Sequence, residues 1–442
     1  MIPLFFSGTP GFNQRLSEIL KRGETFESHF QEDVNSILAE VRSRGDEAVA
    51  HYTARFDGID IKETGFAFSQ EEVKAALNSL SPGLREAIEV AAERIFQFHL
   101  RQREESWFYS EEDGSILGQR VIPLERVGIY VPGGRASYPS SVLMNALPAK
   151  AAGVKEIVMC TPTPNGFVNQ TVLAAAAIAG VSKVFRIGGA QAIAAMAYGT
   201  QSVPKVDKIV GPGNIFVALA KKTVFGTVGI DMVAGPSEIL VLADHTAVPA
   251  FVAADLLSQA EHDPLASSIL VTTSRETGEA VAEEVERQLK GLPQAQGEVA
   301  REAIERFGAV FVVNSRDEMA ELANGIAPEH LEIVVEDPWG LMPLIKNAGA
   351  VFLGNHSTEP IGDYIAGPNH VLPTGGSARF SSPLHTGDFV KRSSIIQVKE
   401  GLFKELAPHA MAIAEEERLF AHKRAIEIRV VPNPSFEKGE RG

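Results

Sequence analysis

Apolar residues recur with a helical period in the N-terminal third of the chain. One stripe covers residues 30–41 and another covers residues 84–98, and each predicts an amphipathic helix. Ser69 followed by Glu72 is a capping-box pattern, which predicts that a helix starts here. The first third of the chain is therefore expected to be mainly helical.

Beyond residue 119, short apolar runs alternate with helical patterns. Such repetition of βαβ units predicts parallel sheets with helices on both faces. We therefore predict an α/β fold with two doubly wound, incomplete Rossmann-like parallel-sheet domains and with helical N-terminal and C-terminal extensions. The predicted strands lie at residues 126–131, 155–160, 183–187, 206–210, 238–243, 267–273, 309–313, 331–335 and 350–353.

The predicted domains are not all continuous in sequence. Residues 1–25 are expected to form an N-terminal extension, and residues 26–125 with 239–382 form a first αβ domain. Residues 126–238 form a second αβ domain, and residues 383–442 form a C-terminal tail. That tail is too small to fold alone, so it is expected to dock on the body or on another subunit.

Two local patterns describe this tail. Residues 402–425 show an amphipathic helical pattern. Residues 425–431 alternate between apolar and charged side chains, which predicts an edge strand.

Composition excludes several classes of protein. The net charge of −15 argues against a nucleic-acid or anionic-membrane partner. No apolar run reaches the roughly 18 residues of a transmembrane helix, and the apolar start at residues 1–6 is too short for a signal peptide. Cys160 is the only cysteine and is expected to be a buried structural thiol. We therefore expect a cytoplasmic protein without intramolecular disulfides.

Two motifs in the second half of the chain combine metal-binding and acid–base side chains. Gln259 and His262 lie three residues apart at a predicted helix end, so both can face one metal ion. Glu329 and His330 follow a proline and precede a predicted strand. Adjacent residues of an extended segment point apart, so we expect two separate roles, one for an imidazole and one for a carboxylate. An exposed helix end and a loop salt bridge remain open as alternatives.

Further candidate ligands lie closer to the C-terminus. Asp363 is in a glycine-flanked loop, where a carboxylate can serve either as a turn residue or as a ligand. Glu417 and His422 lie on the predicted tail helix. They are about 140° apart around an ideal helix, so they need not contact the same atom, and a solvated helix face is the alternative.

Three glycine-containing turns join predicted strands to predicted helices. They cover residues 131–134, 188–191 and 211–214. Helix N-termini at such turns attract phosphate, which indicates a nucleotide crevice at the carboxyl ends of the strands. Ordinary strand-to-helix turns would look the same. The loop at residues 230–238 joins the two αβ blocks and is a further candidate for lining a cleft.

These motifs together resemble the histidinol dehydrogenase family. They occur in the order of that family from about residue 30 to residue 430, whereas the first 25 residues match no family pattern. The resemblance implies a zinc enzyme, with one Zn²⁺ per subunit, that oxidises L-histidinol to L-histidine through histidinal and reduces two NAD⁺. The segments that carry it are residues 127–141, 211–214, 230–238, 259–263, 327–330, 367–374 and 421–423.

The resemblance also implies roles for individual residues. Its zinc ligands are Gln259, His262, Asp363 and His422. The family forms intertwined homodimers with shared active sites, so His422 and Glu417 would act across the interface from a C-terminal dimerisation tail. Substrate contacts are implied at Ser237, Gln259, His262, Glu329, His330, Asp363, Glu417 and His422, and NAD contacts at Tyr130, Gln191 and Asn214.

The chemistry is consistent with this assignment. His330 is expected to take the alcohol proton during the first hydride transfer, and Glu329 to activate the water that attacks the aldehyde. Cys160 is given no part. A paralogue that oxidises another small alcohol, such as a sulfonated propanediol, would keep this machinery, but Glu417 favours a cationic substrate. A two-lobed binding protein and an amidase-like zinc hydrolase are the more distant alternatives.

Overall fold

The computed structural model describes residues 2–22, 27–133, 138–233 and 235–430 of the chain. The chain forms two compact units. The main unit consists of Met1–Arg103 and Pro123–Phe389, and the small unit consists of Glu104–Ile122 and Val390–Gly442. The division of the main unit into two αβ domains stays a prediction. Among the described residues, no helix is both long and apolar enough to cross a membrane.

Two parallel sheets form the framework of the main unit and confirm the predicted α/β class. Sheet I has the order β1-β11-β10-β9-β12-β13, and sheet II has the order β6-β5-β4-β7-β8. The strands of sheet I are β1 (Leu4–Phe6), β9 (Glu238–Ala243), β10 (Ser267–Thr272), β11 (Ala309–Val312), β12 (His330–Val334) and β13 (Ala350–Leu353). The strands of sheet II are β4 (Arg126–Tyr130), β5 (Glu156–Cys160), β6 (Lys183–Phe185), β7 (Lys208–Val210) and β8 (Gly229–Ile230).

Helices flank these sheets. The helices before sheet II are α1 (Pro10–Leu20), α2 (Glu27–Arg44), α3 (Asp46–Asp57), α4 (Ile61–Thr64), α5 (Gln70–Ser79) and α6 (Pro82–Leu100). Those of sheet II are α7 (Pro139–Ala152), α8 (Gln170–Ala179), α9 (Gly189–Tyr198) and α10 (Ile215–Val224). Those of sheet I are α11 (Pro249–Ala260), α12 (Arg275–Leu289), α13 (Gln294–Phe307), α14 (Arg316–Ile326), α15 (Pro338–Leu341) and α16 (Glu359–Ile361).

The central strands β9, β10 and β12 of sheet I are buried on both faces. Alternate residues of β9 enter different cores. Ile239 and Val241 of β9 pack in one cluster with apolar residues of α11, α12 and α13. Leu240 and Leu242 enter the opposite cluster with Phe12 of α1 and residues of α14. Burial on both faces explains why these strands read as continuous apolar runs. The predicted capping box is also confirmed, since the Ser69 side chain accepts from the Glu72 N–H.

The small unit contains a sheet of order β14-β3-β2 and two helices. The strands are β2 (Trp107–Ser110), β3 (Ile116–Pro123) and β14 (Val390–Gln397), and the helices are α17 (Glu400–Glu416) and α18 (Phe420–Val430). The edge strand predicted at 425–431 is wrong up to residue 430, which ends a helix; Val431 lies outside the described residues. The single helix predicted over 402–425 is also interrupted, because Arg418 adopts a φ of 57°. In α18 the less exposed residues are Lys423, Ile426, Glu427 and Val430, which is a helical spacing.

Candidate functional site

Glu329 and His330 lie where helix α14 gives way to strand β12. Ala327 ends the helix in the left-handed region, with a φ of 52°, a conformation that is costly for a residue other than glycine. Strand β12 then begins at His330, between β9 and β13. Glu329 is 7% exposed and His330 is 3% exposed. The turn therefore delivers both side chains to the interior at the amino end of β12.

The backbone of Glu238, the first residue of β9, holds both side chains. Its N–H donates to Glu329 Oε2 at 3.0 Å, and its carbonyl oxygen lies 3.2 Å from His330 Nδ1. His330 Nδ1 and Glu329 Oε2 are 3.7 Å apart. The expectation that the adjacent side chains point apart is therefore wrong. The reason is that Glu329 lies one residue before the strand begins. The alternation that places neighbouring side chains on opposite faces of a strand therefore does not apply to it.

Burial and neighbouring charges shift the pKa of both groups. Burial, with the charge of Glu238 acting in the same direction, raises the pKa of Glu329 to about 8. Burial alone would lower the pKa of His330, but the carboxylates of Glu329 and Asp363 outweigh it and raise the pKa to about 10. The site therefore concentrates negative charge around one imidazole, an arrangement that also favours a bound cation.

Asp363 lies in a π-helical turn, Gly362–Ala366, next to this imidazole. Its Oδ1 is 3.4 Å from His330 Nε2. One ligand atom each from His330, Asp363 and Glu359 lie within 4.8 Å of one another, a geometry that can hold a metal ion. π-helical turns are frequent at functional sites. The structure therefore places Asp363, predicted as a metal ligand, against His330, predicted as a base.

Glu359 is a site residue that sequence reasoning missed. It is 2% exposed, its Oε2 accepts from Ser258 Oγ at 2.8 Å, and its N–H donates to Glu332 Oε1 at 2.8 Å. Burial, followed by the charge of Asp363, raises the pKa of Glu359 to about 7. The available signal was its place four residues before Asp363 in a helical turn, which puts both carboxylates on one face.

Gln259 and His262 lie at the end of helix α11, as the sequence predicted. Gln259 is fully buried, and its Nε2 is 2.9 Å from His262 Nδ1. Its Oε1 has no hydrogen-bond partner among the described residues, which is costly unless a ligand completes the site. Desolvation, opposed by the charge of Asp363, lowers the pKa of His262. A neutral imidazole and an unpaired amide oxygen both suit a divalent metal.

The remaining predicted substrate contacts lie in two places. Ser237 directly precedes Glu238, and its carbonyl oxygen accepts from the Ser267 N–H at 3.0 Å. Glu417 ends helix α17 and His422 lies in α18, both exposed and both in the small unit. Their roles stay predictions. Ala234 of the connecting loop lies outside the described residues.

The predicted NAD contacts gather at the carboxyl ends of the strands of sheet II. Tyr130 ends β4, and its hydroxyl accepts from the Gly189 N–H at 3.0 Å. Gln191 is 1% exposed, and neither polar atom of its amide has a partner in the described part of the chain. Asn214 caps α10 after β7 by accepting from the Val217 N–H.

The strand order of sheet II reverses between β4 and β7, which is the topological switch point where α/β sheets bind nucleotides. The orphaned amide of Gln191 therefore fits a dinucleotide at this edge. Gly134 of the first predicted turn lies outside the described residues. Cys160 is fully buried, and burial raises the pKa of its thiol, so the expectation of a structural thiol is confirmed.

Comparison with known proteins gives consistent matches over nearly the whole chain. The family model for histidinol dehydrogenase matches residues 20–430. A histidinol dehydrogenase from Aquifex aeolicus is 55% identical over 417 residues, 94% of this chain and 96% of that protein. One from Geobacter sulfurreducens is 54% identical over 420 residues, 95% of this chain and 97% of its own length. The crystal structure of histidinol dehydrogenase from Elizabethkingia anophelis is similar with a TM-score of 0.91 at 37% identity, covering 97% of this chain and 98% of that one.

Proposed function

The chain belongs to the histidinol dehydrogenase family, and we propose that it oxidises L-histidinol through L-histidinal to L-histidine in a zinc-dependent, four-electron reaction with two NAD⁺. Membership makes it an NAD-dependent oxidoreductase of histidine biosynthesis. The observation that carries the proposal is the cluster formed by the buried Glu329 and His330 with Asp363. With it goes the unpaired amide oxygen of the buried Gln259, whose neighbour His262 is acted on by the charge of Asp363. The cluster offers an acid–base pair and metal ligands in one place.

We propose that Gln259, His262 and Asp363 hold one Zn²⁺ per subunit, with His422 of a second subunit as a further ligand. Such a donor set, two imidazoles, one amide oxygen and one carboxylate, is suited to zinc. When bound, the metal would orient the substrate and would offset the negative charge of the carboxylates. That offset would bring the pKa of His330 closer to its ordinary range, because Asp363 is one source of the raised value.

His330 and Glu329 divide the proton transfers. His330 takes the alcohol proton as the hydride leaves the carbinol carbon for NAD⁺, which gives the aldehyde. Glu329 takes a proton from a water whose oxygen then bonds to the aldehyde carbon, and His330 returns its proton to the former carbonyl oxygen, which gives the hydrate. The hydrate gives up the second hydride to the second NAD⁺ while His330 again takes a hydroxyl proton. The backbone of Glu238 orients both groups, through its N–H on Glu329 and its carbonyl oxygen on His330. Cys160 takes no part, because its thiol is buried within a strand.

NAD⁺, the hydride acceptor in both oxidations, is proposed to bind at the carboxyl edge of sheet II. Tyr130, Gln191 and Asn214 would contact it there. Gln191 supplies an unpaired amide, and Asn214 leads into a helix N-terminus that favours phosphate. Ser237 and Glu417 would complete the substrate contacts, with Glu417 paired to a cationic group of histidinol.

We also propose a homodimer with shared active sites, in the cytoplasm, with no nucleic-acid or membrane partner. Large apolar side chains of the small unit are exposed, which is unusual for a surface that stays in water. Among them are Trp107 (53%), Phe108 (54%), Ile396 (71%), Ile413 (61%) and Phe420 (63%). Inactive His262→Ala and His422→Ala subunits mixed into verified heterodimers should partly recover activity, whereas subunits that work independently would recover none.

The test of the reaction follows NADH formation with L-histidinol before chelator treatment, after it and after zinc is restored. Two NADH per histidinol, lost with the chelator and regained with zinc, are expected. A folded, zinc-loaded protein that forms no NADH from histidinol would overturn the substrate and leave another small alcohol as the alternative.

A further inference from the structure

We propose that Arg22, in the N-terminal segment, is a positioning residue for the catalytic pair and acts through Glu238. The inference rests on the proposed function, because it concerns the same reaction. Arg22 Nη2 lies 2.8 Å from Glu238 Oε2, and the two side chains are 5% and 4% exposed. Arg22 belongs to the first 25 residues, for which no role is predicted from the sequence.

Glu238 is the residue whose backbone holds the catalytic pair. Its N–H donates to Glu329, and its carbonyl oxygen contacts His330. Its side chain is fixed on two sides, by Arg22 at Oε2 and by the N–H of Gly375 at Oε1. A shift of the Glu238 side chain would therefore be transmitted to the backbone atoms that orient both catalytic groups.

A cation is needed at this point because two carboxylates are buried beside each other. Glu238 is 3% exposed and Glu329 is 7% exposed, and the charge of Glu238 acts on Glu329. A buried carboxylate without a partner is strongly destabilised. Without Arg22, Glu238 would have to move toward solvent or draw other donors toward itself.

The N-terminal segment is anchored so that Arg22 is held in place. Strand β1 pairs with β11 in sheet I, and Arg15 Nη2 in α1 donates to the Gly308 carbonyl oxygen at 2.8 Å. Arg22 Nη1 itself donates to the Ile19 carbonyl oxygen at 3.3 Å. The segment therefore adds an edge strand to sheet I and brings a guanidinium to the start of β9.

The experiment compares Arg22→Gln, Arg22→Lys and the double variant Arg22→Gln/Glu238→Gln with the matched control Arg15→Gln. Arg15 lies on α1 of the same N-terminal segment but bonds to the Gly308 carbonyl oxygen and not to Glu238, so it reports loosening of the segment alone. Arg22→Gln is expected to lower kcat about 10- to 100-fold, as small misplacements of catalytic groups do. KM for histidinol and zinc content should stay within about twofold, because Arg22 is not among the residues proposed to bind either one.

Two comparisons separate positioning from general destabilisation. Arg22→Lys keeps the charge and should regain most of the lost kcat. The double variant removes the unpaired carboxylate, so its kcat should exceed that of Arg22→Gln by about threefold instead of falling further, since contacting residues are not additive. It should stay below that of Arg15→Gln, because the Glu238 side chain has still lost its anchor. Should Arg22→Gln fail to fold, the double variant carries the comparison, and a kcat below that of Arg15→Gln supports the proposal.

The opposite outcomes are equally clear. The role of Arg22 would be overturned if the kcat of Arg22→Gln equalled that of Arg15→Gln. If only the double variant folds, the same comparison applies to the double variant. A kcat of the double variant that is lower than that of Arg22→Gln would also overturn the role of Arg22. Wild-type protein is assayed first: if it oxidises histidinol, a failure of the Arg22 variants to behave as expected leaves the proposed function intact. If it does not, the proposed function fails first.

Discussion

Lys221 and Asp231 form a buried ion pair that holds the backbone of Gly211 from both sides. The Lys221 Nζ donates to the Gly211 carbonyl oxygen at 2.8 Å, and Asp231 Oδ2 accepts from the Gly211 N–H at 2.8 Å. Gly211 has a φ of 113°, and a Cβ there would lie 2.2 Å from the Tyr130 carbonyl oxygen. The ion pair therefore fixes the turn that leads to Asn214 against the end of β4.

Replacing Lys221 with methionine should destabilise the protein and weaken cofactor binding together. Lys221 and Asp231 side chains are 4% and 1% exposed, so the variant leaves a buried carboxylate unpaired, at a cost of about 3–5 kcal/mol. The turn that carries Asn214 would also loosen. Chemical denaturation measures the first effect, and quenching or enhancement of NADH fluorescence on titration measures the second.

The control for this prediction is an exposed pair of the same chemistry. Arg275 and Glu279 are 66% and 49% exposed, and Arg275→Met should cost at most about 0.5 kcal/mol with NADH binding unchanged. Equal small losses for Lys221→Met and Arg275→Met would contradict a structural role for the buried pair.

Replacing either of two buried glutamines with leucine should weaken the binding of one ligand and leave the binding of the other unchanged. Gln259→Leu removes the unpaired oxygen beside His262 and should weaken zinc about 10-fold or more, with NADH binding retained. Gln191→Leu removes the unpaired amide at sheet II and should weaken NADH with zinc retained. A chromophoric chelator in competition measures zinc affinity, and fluorescence measures NADH. Each variant is the control for the other, and a variant that loses both ligands would argue against separate sites.

Most of the framework was predictable because buried parallel strands produce local patterns. The strands at 238–243 and 267–273 are continuous apolar runs, and the structure has them at almost the same bounds. Strand β1 has only three residues, too few for any period to be visible. The wrong strand prediction at 425–430 has a different cause. A short segment in which apolar and charged side chains alternate can also form a helix that packs against a neighbouring element along one face.

The site was predictable only where ligand types stood out by spacing or by family resemblance. Gln259, His262 and Asp363 carried such signals. Glu359 and Glu238 did not, because their importance comes from contacts with residues far away in sequence, such as Ser258 with Glu359 and Arg22 with Glu238. The available hint for Glu238 was a charged residue at the start of a buried strand, and for Glu359 it was the distance of four residues to Asp363.

Asp388→Asn should destabilise the protein more at mildly acidic than at alkaline pH. His385 Nδ1 lies 2.8 Å from Asp388 Oδ2, and this contact raises the pKa of His385 above 6.5. Burial alone would raise the pKa of Asp388, but His385 and Lys208 lower it below 3.8. The stabilisation that depends on the charge of His385 is therefore fully present below the pKa of His385 in the unfolded chain. It is lost as the pH rises through the pKa of His385 in the folded protein. The stabilisation that depends on the charge of Asp388 is lost only as the pH falls through the pKa of Asp388 in the folded protein.

The largest loss for Asp388→Asn is therefore expected at about pH 5–6, where both groups are charged. Above the folded pKa of His385, the contacts of Asp388 that remain are the one with Lys208, at 3.3 Å, and the hydrogen bond from the His385 N–H, at 3.0 Å. Denaturation of wild type and variant at several pH values gives the difference, in which other titrating groups cancel. His385→Gln as background should flatten the dependence, and a penalty for Asp388→Asn that is constant across pH would contradict the ion pair.

Glu329→Gln should uncouple the two oxidations. Its amide oxygen can still accept from the Glu238 N–H, so the local structure is kept, but an amide cannot take a proton from water. The first hydride transfer should continue with His330 as base, while hydration of the aldehyde slows about 10²-fold or more. Single-turnover assays should therefore give one NADH per histidinol, with the aldehyde recovered by a carbonyl-trapping reagent. The control is Glu336→Gln, because Glu336 is an exposed acid beyond the end of β12, and this variant should still give two NADH. If Glu329→Gln also gives two NADH at the wild-type rate, Glu329 has no part in the proposed chemistry.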